Sequence, residues 1–237
     1  IRKALWDISV SPECFFVLRN NFARNLATMN IAHWILGIGD RHMGNLLINT
    51  QTGYLVGIDF GYVFGGATIN LTIPELVPFR LTPKFVDVMS PLGTSGITKK
   101  TMINALRTFT ICRKTIMACM SVFLREPTVD WMAGTRSENL PQNEIVPWNS
   151  VKRIEIAKKK LHGGHPASLI DEELGMSRID PAFIAGYRNV LQGDEESVRN
   201  KLPYVNLAVD QQVSCLIDLA TDPAILGVCY DGFVPWI

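Results

Sequence analysis

Excess charge of either sign is missing from these 237 residues: 23 lysines and arginines stand against 22 aspartates and glutamates, a formal net charge of +1. Such a balance gives no general attraction to nucleic acid or to an anionic membrane. Also missing is any run of 18 apolar residues, so no segment reads as a membrane-spanning helix. The five cysteines (Cys14, Cys112, Cys119, Cys215, Cys229) form no Cys-x-x-Cys pair and keep no zinc-site interval with the four histidines. An odd count without a framework fits a reducing compartment, and Cys215 and Cys229 are read as free buried thiols. No signal-peptide or transit-peptide pattern is present. Ile1 stands close upstream of a helix, and the chain is expected to be a piece of something longer. What is present is 47% hydrophobic, enough for a sizeable core in one large domain or one domain with a small appendage.

The most informative stretch is Gly37-Ile38-Gly39-Asp40-Arg41-His42-Met43-Gly44-Asn45, followed by Ile58-Asp59-Phe60-Gly61. Between them, residues 46–49 and 54–57 read as two short strands joined by a turn. A three-residue loop, Gln51-Thr52-Gly53, would set a register pairing Thr50 with Tyr54, Leu46 with Ile58 and Asn45 with Asp59. Asn45 and Asp59 would then bring one amide oxygen and one carboxylate to one spot. These are hard ligands of the kind Mg²⁺ accepts alongside phosphate oxygens and water. Asp40 precedes Asn45 by five residues, the interval of the kinase loop Asp-x-x-x-x-Asn, in which the Asp accepts the proton of the substrate hydroxyl. The chemistry indicated is phosphoryl transfer. In a locally extended loop Asp40 and His42 project to the same side, so either is a candidate base, and the sequence does not rank them.

With His42 after Asp40 instead of before it, the loop resembles that of the phosphatidylinositol 3-kinase-related protein kinases, Gly-x-Gly-Asp-Arg-His-x-x-Asn followed by Asp-Phe-Gly. The resemblance implies ATP and Mg²⁺ as cofactors, Asp40 and His42 as catalytic residues, Asn45 and Asp59 as metal and nucleotide ligands, and Arg41 steadying the loop by pairing with an acid. It also implies protein substrates with Ser or Thr followed by Gln, with Glu75 and Leu76 of the activation loop either near that Gln or in a structural loop packing on the next helix. Residues 60–80 contain no lysine and a single arginine, Arg80. Lipid kinases with the same catalytic loop carry a basic cluster here, so a protein substrate is expected. A lipid kinase and a catalytically silent scaffold of the same fold are the alternatives, the intact Asp40, Asn45 and Asp59 counting against the second.

The fold expected is mainly α with a small β-hairpin: a protein-kinase-like large lobe over 1–126, a helical extension with linkers over 127–204, and a helical tail over 205–237 that resembles the family's FATC segment. Ser11-Pro12-Glu13 starts a long helix that ends at Gly37 and buries Leu18, Phe22, Leu26, Met29, His33 and Leu36. Thr82-Pro83 starts another through Met89, and a cap at Thr98 leads a helical stretch to Arg125, with Pro127 ending it. Residues 127–147 read as a polar connection. A basic helix over 150–161 is read as a solvated face; the alternative, a DNA-binding module, predicts salt-sensitive binding. Helices follow over 167–174 and, after Asp180-Pro181, over 182–191, then a linker over 193–202, and a last amphipathic helix from about Val205 with a short turn started by Asp222-Pro223.

Residues 33–42, Pro74-Glu75-Leu76, Pro78-Phe79-Arg80-Leu81-Thr82 and Ala220-Thr221-Asp222-Pro223 are most similar to the DNA-activated members of the family, with Tyr62, Phe233 and Ile237 as departures. This implies a nuclear enzyme of double-strand break repair by non-homologous end joining, meeting DNA ends and the Ku heterodimer through regions outside this sequence. No Gly-rich phosphate loop lies upstream of Asp40. The small lobe and the upstream helical repeats are therefore expected elsewhere in the same longer chain, and the fragment alone is expected to turn over negligibly.

Overall fold

A computed structural model describes residues 1–123 and 150–236. The expected helix end at Arg125 and Pro127, the connection over 127–147 and the terminal Ile237 lie outside the described residues, as does the side chain of Phe123.

The order is α1 (Arg2–Asp7), α2 (Pro12–Leu36), a 3₁₀ turn (Met43–Asn45), β1 (Leu46–Ile48), β2 (Leu55–Gly57), α3 (Gly66–Asn70), α4 (Pro83–Val88), α5 (Ile97–Ile111) and α6 (Arg113–Phe123). After the undescribed stretch come α7 (Ser150–Lys160), α8 (Pro166–Leu174), α9 (Pro181–Gln192), a 3₁₀ turn (Val198–Lys201), α10 (Val209–Thr221), α11 (Pro223–Gly227) and a final 3₁₀ turn (Asp231–Phe233). The mainly helical architecture with one two-stranded sheet is the one the sequence indicates.

Helix α2 is the central rod. The Ser11 side chain accepts the Cys14 N–H, Pro12 opens the first turn and Glu13 lies in it. At the other end Gly37 takes φ 60° and returns its N–H to the Trp34 carbonyl. A Cβ at Gly37 would lie 2.4 Å from the Gly65 nitrogen, so the helix must stop on a glycine to let Phe64 and Gly65 pass. The buried face is wider than one stripe. Ile31, Trp34 and Ile35 are covered along with Phe22 and Leu26, because α2 packs against α1, α5, α7 and β2 together. One core of buried side chains runs from Leu5 through Phe22, Phe79, Leu106, Leu174 and Leu216 to Phe233, so all three expected segments contribute to it.

Three local expectations change. Gly96, not Thr98, caps α5; Thr98 is inside the helix, fully buried, with its hydroxyl 2.8 Å from Met89 Sδ. The helical stretch is broken at Cys112 into α5 and α6. The basic face of α7 is only partly solvated: Lys152, Lys158 and Lys159 are exposed, whereas Arg153 and Lys160 are buried. Lys160 pairs with Glu173 at 2.9 Å and sits 4.2 Å from the Trp34 ring centre, and Arg153 donates to the Phe64 carbonyl. Burial lowers Arg153 to a pKa of about 10.

The expected linker over 193–202 is anchored. Arg199, buried, pairs with Asp218 of α10 at 2.7 Å and with Asp222 before α11. Removing one member of a buried ion pair costs about 3–5 kcal/mol, and hydration of the partly exposed acids keeps this case near the lower end. Arg199→Met is therefore expected to lower the melting midpoint by roughly 10 °C, at about 2–4 °C per kcal/mol for a domain this size. Calorimetry checks it. Cys215 and Cys229 are free, buried and half-buried respectively, and burial pushes both thiols up to about 12.

Candidate active site

The chain leaving α2 and the chain leaving the hairpin run side by side. Gly39 N–H donates to the Tyr62 carbonyl (3.0 Å), Phe64 N–H to Leu36 (2.8 Å) and Gly65 N–H to Gly37 (2.9 Å). Next to this paired region Asp40 (φ 58°) and Asp59 (φ 54°) both occupy the left-handed backbone region. That region disfavours most L-residues, and a non-glycine residue held there needs outside support.

The support for Asp40 is complete along its backbone. Its N–H donates to Glu75 Oε2 (2.9 Å), and its carbonyl accepts from Asn45 Nδ2 (2.9 Å). The second bond fixes the Asn45 amide, and among the described residues no hydrogen bond goes to its Oδ1. Arg41, only 1% exposed, joins the two loops: Nε donates to the Gly39 carbonyl (2.9 Å), Nη1 to Ile58 (2.8 Å) and Nη2 to Asp59. It also lies 5.3 Å from the Phe60 ring centre. Arg41 thus bonds three carbonyls, where pairing with an acid is expected from the sequence. A planar guanidinium fits several carbonyls at once where a lysine could not. Burial lowers its pKa, opposed by the nearby charges of Glu75, Asp40 and Asp59.

The hairpin register is shifted by one residue from that expected. Leu46 pairs with Gly57, Leu47 with Val56 and Ile48 with Leu55. The cause is Asn49, whose Oδ1 accepts the N–H groups of Gln51 (2.9 Å) and Thr52 (3.1 Å) and folds residues 50–53 into a four-residue loop. Asn45 consequently faces Ile58, whose N–H donates to the Asn45 carbonyl (3.1 Å), and Asp59 lies one residue beyond. The Asp59 carboxylate is exposed, with Oδ1 accepting the Gly61 N–H (3.2 Å).

His42 differs from expectation because Asp40 is left-handed and the loop is not extended. Its Nδ1 accepts the Gly44 N–H (3.0 Å) and caps the 3₁₀ turn carrying Asn45. Nδ1 is thereby occupied, and the ring proton falls to Nε2. His33, expected on the buried stripe of α2, is buried; burial and then Arg41 lower its pKa to about 4, so it is neutral.

Glu75 and Leu76, expected to face the substrate, are interior: 5% and 0% exposed. Burial raises Glu75 to about 7, the bond from Asp40 N–H opposing. The folded pKa thus lies above the ordinary 4.5. Glu75 therefore favours the folded state fully below pH 4.5, and that contribution is lost as pH rises through about 7. Glu75→Gln is expected to flatten stability against pH in that window, seen in melts at stepped pH, while its amide oxygen still accepts from Asp40 and preserves activity. Glu75→Leu leaves the Asp40 N–H unpaired and is expected to lower kcat about tenfold.

The C-terminal tail reaches this site, which the sequence did not show. Arg80, 1% exposed, donates through Nη1 to the carbonyls of Phe233 (2.5 Å) and Arg41 (3.3 Å) and through Nη2 to Val234 (2.8 Å). Its guanidinium lies 4.7 Å from the Phe233 ring centre, and burial lowers its pKa to about 10. The Tyr230 hydroxyl donates to Asp40 Oδ1 at 3.0 Å.

Residues 1–133 match the family model described as phosphatidylinositol 3- and 4-kinase, more than half of the chain. The chain belongs to that kinase family. Residues 206–237 match the FATC domain, the pairing expected of a phosphatidylinositol 3-kinase-related kinase. The DNA-dependent protein kinase catalytic subunit of Gallus gallus is 39% identical to this kinase segment over 247 residues, covering 100% of the chain and 6% of its own length. That of Dictyostelium discoideum is 37% identical over 98% of the chain and 6% of its own length. The Target of rapamycin homolog of Caenorhabditis elegans is 29% identical over 100% of the chain and 8% of its own length. The segment thus spans about 6% of the length of the DNA-dependent protein kinase subunits it matches.

The family implies ATP and a divalent metal. The residues present fit them: Asp59 offers an exposed carboxylate and Asn45 an amide oxygen left over by its bond to Asp40. Among the described residues no three His, Cys, Asp or Glu side chains gather as a metal cluster. A donor set of one carboxylate and one amide leaves the remaining positions to phosphate oxygens and water.

Proposed function

We propose that this chain is the large lobe and FATC tail of a serine/threonine protein kinase that phosphorylates Ser or Thr followed by Gln, is activated by DNA ends and acts in double-strand break repair by non-homologous end joining in the nucleus. The observation that carries the kinase chemistry is the Arg41 bridge, which holds the Asp40–Asn45 loop against the carbonyls of Ile58 and Asp59. The names and coverage of the DNA-dependent protein kinase subunits support the DNA-linked part. Contact with DNA ends and the Ku heterodimer belongs, in this reading, to parts of the longer protein beyond these residues, as do the small lobe and helical repeats. The division is large lobe 1–126, extension 127–204 and FATC 205–237.

Bound ATP and Mg²⁺ supply the transferable phosphoryl group and the neutralisation of its charge. Asn45 Oδ1 and the Asp59 carboxylate would hold the metal. Asp40 orients the substrate hydroxyl and takes its proton. Of the two candidate bases Asp40 is preferred, because His42 Nδ1 already accepts the Gly44 N–H and its Nε2–H is a donor. The His42 Nε2–H would then be available as a donor to the nucleotide.

A protein substrate is favoured over an inositol lipid by Arg80. It is the one arginine of the activation loop, no lysine stands there, and it is buried against Phe233 and Val234 carbonyls rather than offered to a headgroup. The basic helix gives little to a DNA-binding reading, with Arg153 and Lys160 interior and Lys159 paired to Glu172 at 2.7 Å. The test offers the full-length protein ATP with a Ser-containing peptide or with phosphoinositide vesicles. Transfer to peptide alone supports the reading. Transfer to lipid alone replaces it with a lipid kinase, and transfer to neither with a scaffold.

A further inference from the structure

Asp40 is gripped at every polar group but one. Its N–H and carbonyl are held by Glu75 and Asn45, and one carboxylate oxygen, Oδ1, accepts the Tyr230 hydroxyl at 3.0 Å from 190 residues away. Among the described residues no hydrogen bond goes to Oδ2. One oxygen is thus fixed and the other is left for a substrate hydroxyl. Rotation of the Asp side chain about its own bonds is the one freedom the backbone contacts do not remove, and the Tyr230 bond removes it.

The tail is built to hold that hydroxyl in place. Arg80 takes the carbonyls of Phe233 and Val234 and, with the same guanidinium, the carbonyl of Arg41, the residue after Asp40. The last turn of the tail and the catalytic loop therefore share one anchor. Val234 sits at φ 48°, an unfavourable setting for a β-branched residue, and the bond from Arg80 supports it. The Tyr230 ring lies back over Gly232, where an added Cβ would come within 2.3 Å of ring carbon Cε2, and stands 6.5 Å from the Phe233 ring in an edge arrangement. Only a glycine at 232 lets the ring lie this way. Burial and then the bond to Asp40 raise the Tyr230 pKa, so the phenol remains a protonated donor.

We propose that Tyr230 is a positioning residue for phosphoryl transfer: the FATC tail holds Oδ1 of Asp40 through the Tyr230 hydroxyl so that Oδ2 faces the substrate. This rests on the assignment of Asp40 made above. The alternative meaning of the same contact, a tail that blocks the base, predicts the opposite change in rate on removing the hydroxyl.

The experiment compares wild-type, Tyr230→Phe, Gly232→Ala and Asp40→Asn forms of the full-length kinase in steady-state peptide phosphorylation, with a melting curve for each. Tyr230→Phe keeps the ring and removes one hydrogen bond to a charged group, so kcat is expected to fall about tenfold or more. KM for ATP and peptide should stay within about twofold, the pattern of an interaction that matters in the transition state, and the melting midpoint should not move. Gly232→Ala keeps the hydroxyl and displaces the ring, and is expected to lower kcat in the same manner. A Tyr230→Phe enzyme with unchanged or raised kcat overturns the proposal. So does a fall in kcat that comes with a matching change in KM or melting, which would make the residue structural. If Asp40→Asn itself retains full kcat, the assignment of Asp40 fails; if Asp40→Asn is inactive and Tyr230→Phe fully active, only the role of Tyr230 fails.

Discussion

Asp40→Asn in the full-length kinase is expected to lower kcat by about 10²- to 10⁴-fold, the usual worth of a positioned general base. Asparagine is the informative replacement. The backbone at 40 is left-handed, and Asn tolerates that region better than Ala, which would add backbone strain to the loss of the carboxylate. The N–H to Glu75 and the carbonyl accepting from Asn45 belong to the backbone and survive the change. Steady-state kinetics should therefore show the loss in kcat, with KM for ATP little changed and the melting midpoint within about 1 °C, as for a substitution that leaves every buried contact in place. A variant that keeps more than a tenth of wild-type kcat would move the base elsewhere, with His42 next to be examined.

Asp59→Asn is expected to be more severe, about 10³-fold or greater, because a metal ion's charge stabilisation is worth several kcal/mol in the transition state. The backbone at 59 is also left-handed: φ is 54°, Asn accepts it, and the carbonyl of residue 59 remains bonded to Arg41. The side chain is exposed and, among the described residues, accepts only a 3.2 Å bond from Gly61 N–H, so the fold of these residues does not depend on its charge. The signature is a shift in metal dependence. Titration of activity with Mg²⁺ should show a half-saturating concentration raised at least tenfold, a change that loss of a general base would not produce.

Much of this was legible in the sequence where the determining contacts are local. Helix α2 begins at a Ser-Pro-Glu cap and ends on a glycine, and both boundaries are found where those residues stand. The capped starts at Asp180 and Asp222 are likewise read from one side chain and its next N–H neighbours. The hairpin was found but its register was not, since Asn49 can end a strand or turn the chain, and only its two bonds to residues 51 and 52 decide. Thr98 has the chemistry of a cap, yet burial against Met89 claims its hydroxyl.

The site divides in the same way. The candidates Asp40, Asn45 and Asp59 are picked out by spacing, but what holds them is not. Arg41 finds carbonyls rather than an acid because its guanidinium reaches two loops that only the fold brings together. Glu75 sits in a turn-rich stretch that reads as exposed, and its inward turn follows from the unsatisfied Asp40 N–H it answers. Arg153 and Lys160 look like any surface cation until Phe64 and Glu173 are placed beside them. Tyr230 gives no local signal at all, since its partner is 190 residues away.

The measurement that tests the account most directly is phosphorylation by the full-length protein of a Ser-Gln peptide and of the same peptide with Gln replaced by Ala, each with and without linear double-stranded DNA, in wild-type and Asp40→Asn forms. Transfer is expected to depend on Gln, rise with DNA and disappear with Asp40→Asn. Gln-dependent transfer indifferent to DNA would contradict the assignment within the family, and transfer that survives Asp40→Asn would contradict the site itself.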